Sequence, residues 1–78
     1  MFKRRIGRDP HALGGSSGAN GCPDIWELND GSFAIIGIRK TAILKGILPE
    51  SASCGDDEEI VVIPRHLLVD ARSDIPHE

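Results

Sequence analysis

The stretch CPDIWELNDGSFAIIGIRKT, Cys22 to Thr41, decides how this chain is read. Two strand-like runs meet at Asp30-Gly31. That dipeptide is a strong hairpin signal, because a type I′ turn needs positive φ at both central residues and Asp and Gly tolerate it. With Asp30 and Gly31 as the loop, Leu28 faces Phe33, Glu27 faces Ala34, Trp26 faces Ile35 and Ile25 faces Ile36. Side chains alternate along a strand, so Trp26, Leu28, Phe33 and Ile35 share one apolar face, the expected core. Ile25, Ile36 and Ile38 point the other way, leaving the sheet apolar on both sides.

Downstream, Thr41 is placed to cap a short helix over 42–48, with Ile43 and Ile47, and Leu44 and Leu48, at four-residue spacing. Gly46 weakens that helix and Pro49 ends it. Glu50 to Glu59 reads as a solvated acidic loop. Ile60-Val61-Val62-Ile63 is β-branched throughout, the pattern of a strand buried on both faces, and 59–63 is expected to complete a three-stranded sheet. Pro64 closes it and opens a helix over 65–71 that turns Leu67, Leu68 and Ala71 inward. The fold class expected is α+β: a small antiparallel three-stranded sheet, one or two short helices and a flexible N-terminal arm. Residues 1–21 are the arm, 22–73 the single domain and 74–78 a polar tail.

The arm carries Lys3, Arg4, Arg5 and Arg8 against Asp9, so the overall charge of −3 divides into +3 for residues 1–21 and −6 for the remainder. These four cations are the candidate contact for an anionic partner. No aromatic side chain interleaves with them to stack bases, so nucleic acid is possible but not favoured. The glycines of 14–21 lack the Gly-Lys-Ser/Thr ending of a phosphate-binding loop. At 78 residues the chain is one domain near the lower size limit for an unaided core. Its longest apolar run, Phe33 to Ile38, is far below the ~20 residues needed to span a bilayer. No membrane partner is expected, and the basic start has no apolar stretch of signal-peptide length behind it, so a cytoplasmic location is expected.

Recognisable chemistry is sparse. His11, His66 and His77 with Cys22 and Cys54 contain no paired ligand spacing of a zinc site, and no cofactor is expected. Cys22 and Cys54 read as small half-buried thiols, with a redox pair across one end of the sheet left open. The carboxylates of Asp56-Asp57-Glu58-Glu59 sit in a loop rather than a cleft, and no nucleophile lies beside a placed His. The expectation is a protein that is not an enzyme, with a thiol sensor or minor enzyme as the least favoured class.

Ser16-Ser17-Gly18, Gly21-Cys22, Glu27-Leu28, Asp30-Gly31 with its aliphatic strand, and a strand running into Pro64 and a Leu-containing helix together resemble a known group. It is the small actinomycete proteins that include the sporulation regulator BldB, and the resemblance covers roughly residues 16–71. The chain departs from that pattern in Ala42 to Gly55, inserted before the last strand, and in Asp24-Ile25-Trp26. The resemblance implies a regulatory binding protein without enzymatic activity, encoded beside helix-turn-helix transcription factors, and brings no catalytic residues. The expected function is therefore a small protein-interaction module, a partner of such a regulator. Strand 23–28 has Asp24 and Glu27 to protect its edge, but 59–63 has only Glu59 and Pro64; this, with isoleucines on the second face, also predicts a homodimer whose interface draws on Ile25, Ile36, Ile38, Val61 and Ile63.

Overall fold

The computed structural model describes residues 1–9 and 22–77. Its strands are β1 (Phe2–Arg5), β2 (Asp24–Leu28), β3 (Phe33–Ile36), β4 (Ile38–Arg39) and β5 (Val61–Val62). Its helices are α1 (Thr41–Leu44), which runs into a 3-10 turn at Lys45–Ile47, and α2 (Arg65–Ala71), which runs into another at Arg72–Asp74. The molecule is a small α+β fold with a three-stranded antiparallel sheet, β1-β2-β3, and a two-stranded one, β4-β5.

The hairpin forms where expected, but its loop is one residue longer. Gly31 N donates to Leu28 O at 3.0 Å and Leu28 N to Ser32 O at 2.8 Å, so Asn29-Asp30-Gly31 is a three-residue loop. Among the described residues positive φ is confined to Gly7 and Gly31, the latter at 90°, so Asp30 does not adopt the type I′ geometry. A type I turn followed by a left-handed glycine is the standard alternative for a loop of this length. The side chain of Asp30 fixes it, accepting from Ser32 N at 2.9 Å and from the Ser32 hydroxyl at 2.6 Å.

The longer loop shifts the register. The pairs are Glu27 with Phe33, Trp26 with Ala34, Ile25 with Ile35 and Asp24 with Ile36. A shift of one moves a whole set of side chains to the opposite face. Phe33 and Ile35 consequently lie with Ile25 rather than with Trp26. The core is built on the Ile25 side: Ile6, Ile25, Leu67 and Ala71 are buried, with Ile63 packed against them. Trp26 is only half-buried, and Phe33 and Ile35 are exposed.

The third strand is β1, not 59–63. Arg4 pairs with Glu27 and Arg5 with Trp26, and Ile6 N continues the ladder with a 2.9 Å bond to Ile25 O. The first nine residues are therefore part of the domain, and Ile6 is fully buried. The remainder of the expected arm, residues 10–21, lies outside the described residues. β1 carries opposite charges to β2 on both faces, and this holds it in place. Arg4 meets Glu27 on the α2 side at 2.9 Å, and Arg5 meets Asp24 on the other at 3.0 Å.

β5 runs beside β4, pairing Val62 with Ile38 and Val61 with Arg39, and both valines are exposed instead of buried on two faces. Thr41 does not cap α1: Lys40 takes that position, and the Thr41 hydroxyl accepts from Ile60 N at 2.8 Å and donates to Glu59. α2 has the bounds the sequence predicts, with Leu67 and Ala71 inward, but Leu68 is exposed. The polar tail is tied in at its start, where Asp74 Oδ2 accepts from Gly7 N at 2.8 Å and Asp74 O accepts from Arg4 at 2.6 Å.

Gly37, between β3 and β4, is needed for the core to close. A Cβ there would lie 2.8 Å from Ile63 Cγ2 and 2.9 Å from Val62 O. The bare backbone lets Ile63 cross to reach Leu67 and Ile25. Gly37→Ala should cost about 1–2 kcal/mol through this overlap, because the carbonyl cannot retreat without breaking the β4-β5 pairing. A lowered urea midpoint with an unchanged slope is the expected reading.

Candidate functional site

One helix, α2, covers one face of the main sheet, and α1 has no comparable packing on the other. Strand alternation puts Trp26, Leu28, Ala34, Ile36 and Ile38 on that second face, joined by Phe2 from β1 and Val62 from β5. Phe2, Ile36, Ile38 and Val62 are between 44% and 64% exposed. Contiguous apolar surface of this kind on a small protein marks a binding site more often than chance exposure does.

The centre of this face is built from two alternate positions of β2, Asp24 and Trp26, and two of β1, Phe2 and Arg5. Arg5 lies 4.6 Å above the Trp26 ring, Phe2 meets the same ring edge-on at 5.8 Å, and Trp26 Nε1 donates to Asp24 Oδ2 at 2.9 Å. Burial pushes the Asp24 carboxyl up. Hydrogen bonds from Arg5, the Trp26 indole and Ile25 N, with the charge of Arg5, outweigh that and hold it below the usual carboxylate range. The same bond to Asp24 raises the Arg5 pKa against the opposing effect of burial, so the guanidinium stays charged. The group is a locked platform: a flat indole clamped between a cation and a phenyl ring, with its donor already satisfied.

Where β2 begins and β5 ends, the sheet opens into a cleft of about 160 Å³ lined by Pro23, Ile36, Gly37, Ile38, Val62 and Pro64. Its lining is almost wholly apolar, and its size suits one aliphatic or aromatic side chain. A wider, shallower groove lies along the outer side of α2, between Leu68, Val69, Arg72, Ile75, Pro76 and His77.

Of the interface residues expected from sequence, Ile36, Ile38 and Val61 are exposed, Ile63 is half-buried against the core, and Ile25 is only 4% exposed within it. Ile25 is thereby removed from any interface, because it faces α2. Val61 lies across from Arg39, on the face opposite Ile38 and Val62. Of the four arm cations, Arg4, Arg5 and Arg8 are engaged by Glu27, Asp24 with Asp9, and Asp70. Of these four, only Lys3 is exposed without a carboxylate partner among the described residues. The basic cluster is thus largely spent on internal pairs, which charge counting along the sequence does not reveal. What sequence reasoning missed is Phe2 and the Asp24-Arg5 pair. The signal available was the alternation Phe2, Arg4, Arg5 opposite Asp24 and Glu27, which fits an opposed strand better than a tail.

No group of three or more metal-ligating side chains occurs among the described residues. Cys22 and Cys54 are half-buried and not bonded to each other, and the Cys54 thiol lies 3.5 Å from Glu58 O. Among the described residues no helix is long and apolar enough to cross a membrane. Comparison with family models, curated proteins and solved structures found no match for this chain.

Proposed function

We propose that this chain is a small non-enzymatic interaction module that acts by binding another protein, of which a helix-turn-helix transcription regulator is the class its sequence resemblance suggests. The observation that carries the reading is the uncovered sheet face of Phe2, Trp26, Ile36, Ile38 and Val62, with a rigid indole at its centre and a side-chain-sized cleft at its margin. Buried aromatic anchors and shallow apolar pockets are the features on which protein interfaces concentrate their affinity. Nucleic-acid binding through the basic N-terminus is the weaker reading, since three of its four cations already have carboxylate partners.

The test is recovery of a partner from cells of the natural source with tagged wild-type chain, set against Phe2→Glu and Val62→Glu. Both substitutions replace exposed apolar side chains and leave the ladder hydrogen bonds intact. The expected result is one protein retained by the wild type in 0.5 M salt, on the order of the ionic strengths that screen surface charge, and lost from both variants. Retention of nucleic acid that falls steeply with salt and is lost in Lys3→Glu would replace this reading with the other.

A further inference from the structure

The backbone hydrogen bonds reveal an unpaired edge longer than either strand that forms it. Leu28 N donates to Ser32 O, so the even-numbered residues of β3 point their N–H and C=O groups toward β2, through Ala34 and Ile36. Lys40 N donates to Ile60 O at 2.8 Å, which places β5 on that same, even-numbered side. β2 and β5 therefore lie end to end along one side of a seven-residue segment, Phe33 to Arg39. The groups of Phe33, Ile35, Gly37 and Arg39 point the other way, where neither sheet has a further strand among the described residues.

The two outer edges of the main sheet differ in how they are guarded. β1 carries Lys3, Arg4 and Arg5, and its register slips between Phe2 and Arg4. Charge and irregularity are the devices that keep an edge from pairing with another chain. FAIIGI, residues 33–38, has no charge, no proline and no irregular pairing with β2. A neutral, apolar strand of this kind has no like charges to repel a second copy of itself. Phe33, Ile35, Ile36 and Ile38 along this edge are 41% to 64% exposed, so pairing with a copy of itself would bury apolar surface on both partners.

We propose that this edge pairs with the same edge of a second copy, antiparallel about a two-fold axis that passes between the two Ile36 residues. This register uses every outward-facing group: Phe33 of one copy exchanges hydrogen bonds with Arg39 of the other, and Ile35 with Gly37. Ile36 then sits opposite Ile36 as a non-hydrogen-bonded pair, with Cα atoms about 4.5 Å apart. The half-exposed Phe33 ring comes beside the Arg39 guanidinium, which is 81% exposed and only 3.9 Å from its nearest carboxylate, Glu59. A two-fold axis perpendicular to the sheet leaves both α2 helices on one side. The two Trp26 faces on the other side join into one apolar surface, so pairing does not compete with the protein-binding face but doubles it.

The test is sedimentation equilibrium of the purified chain, with no other protein present, so its outcome is independent of whether a protein partner exists. The wild type should be a dimer at micromolar concentration. Ile36→Asp and Ile36→Lys each place like charges face to face and should raise the dimer dissociation constant more than about 100-fold. Both should keep the wild-type circular dichroism and a cooperative melt, since Ile36 is 53% exposed. Mixing the two variants should restore a one-to-one dimer, because only a register with residue 36 opposite residue 36 brings Asp against Lys. A monomeric wild type overturns the proposal, as does a dimer indifferent to both substitutions, or variants that stay monomeric when mixed.

Discussion

Ile6→Ala should cost about 2–5 kcal/mol, the range for emptying a fully buried aliphatic site. Ile6 is the largest side chain with no exposure, and it stands between Ile25 on β2 and Ala71 on α2. A domain of this size is stable by ~5 kcal/mol or a little more, so the variant should be partly unfolded at room temperature. Deleting residues 1–6 should abolish the cooperative transition, because β2 would lose its β1 neighbour and Asp24 and Glu27 would be left buried without their arginines. Denaturant unfolding followed by Trp26 fluorescence reads both changes. A truncated chain that melts like the full one would return β1 to the status of a tail.

Asp24→Asn should be the second most damaging of these substitutions, at about 2–3 kcal/mol near neutral pH. It keeps the volume but removes the charge that Arg5 faces, and Arg5 is partly solvated, which keeps the loss below that of a fully buried pair. The pH dependence has a definite sign. The folded protein holds the Asp24 pKa below its ordinary value, so the contribution is complete above the unfolded pKa of ~3.9 and disappears as pH falls through the lower folded value. The wild type should therefore lose stability in acid, whereas Asp24→Asn should lose less over the same interval. The two curves should converge once the wild-type carboxyl is protonated. Parallel curves throughout would mean that the Arg5 pair contributes nothing measurable.

The sequence made some of this architecture legible and hid the rest for identifiable reasons. α2 could be bounded because Pro64 opens it and the inward spacing of Leu67 and Ala71 is helical. The hairpin could be located because Asp30-Gly31 is a strong local signal, but not its register, since Asn29-Asp30-Gly31 accommodates a three-residue loop equally well. That one residue decided which face became the core. β1 was hidden because Lys3-Arg4-Arg5 reads as a solvated tail until Asp24 and Glu27 are known to stand opposite it. β5 was expected to be buried on both faces within the three-stranded sheet, but it pairs with Ile38 and Arg39 in a two-stranded one with both valines exposed, because a β-branched run specifies a strand and not what covers it. The candidate site suffered most from the register. Ile36 and Ile38, expected at an interface, are exposed, while Trp26, expected in the core, is the centre of the open face.

The core draws on both extremes of the described chain: Ile6 packs with Ala71, Gly7 binds Asp74 and Arg8 binds Asp70. During synthesis, the β2-β3 hairpin, complete at Ile36, therefore waits through about 35 residues of elongation, until Ala71 ends α2, with nothing to cover Ile25. The nascent chain cannot complete its hydrophobic centre until α2 has left the ribosome. Over that interval an apolar, uncharged strand stands open beside neighbouring nascent chains on the same message. The edge pairing proposed above would have its earliest opportunity there, before either molecule has finished folding.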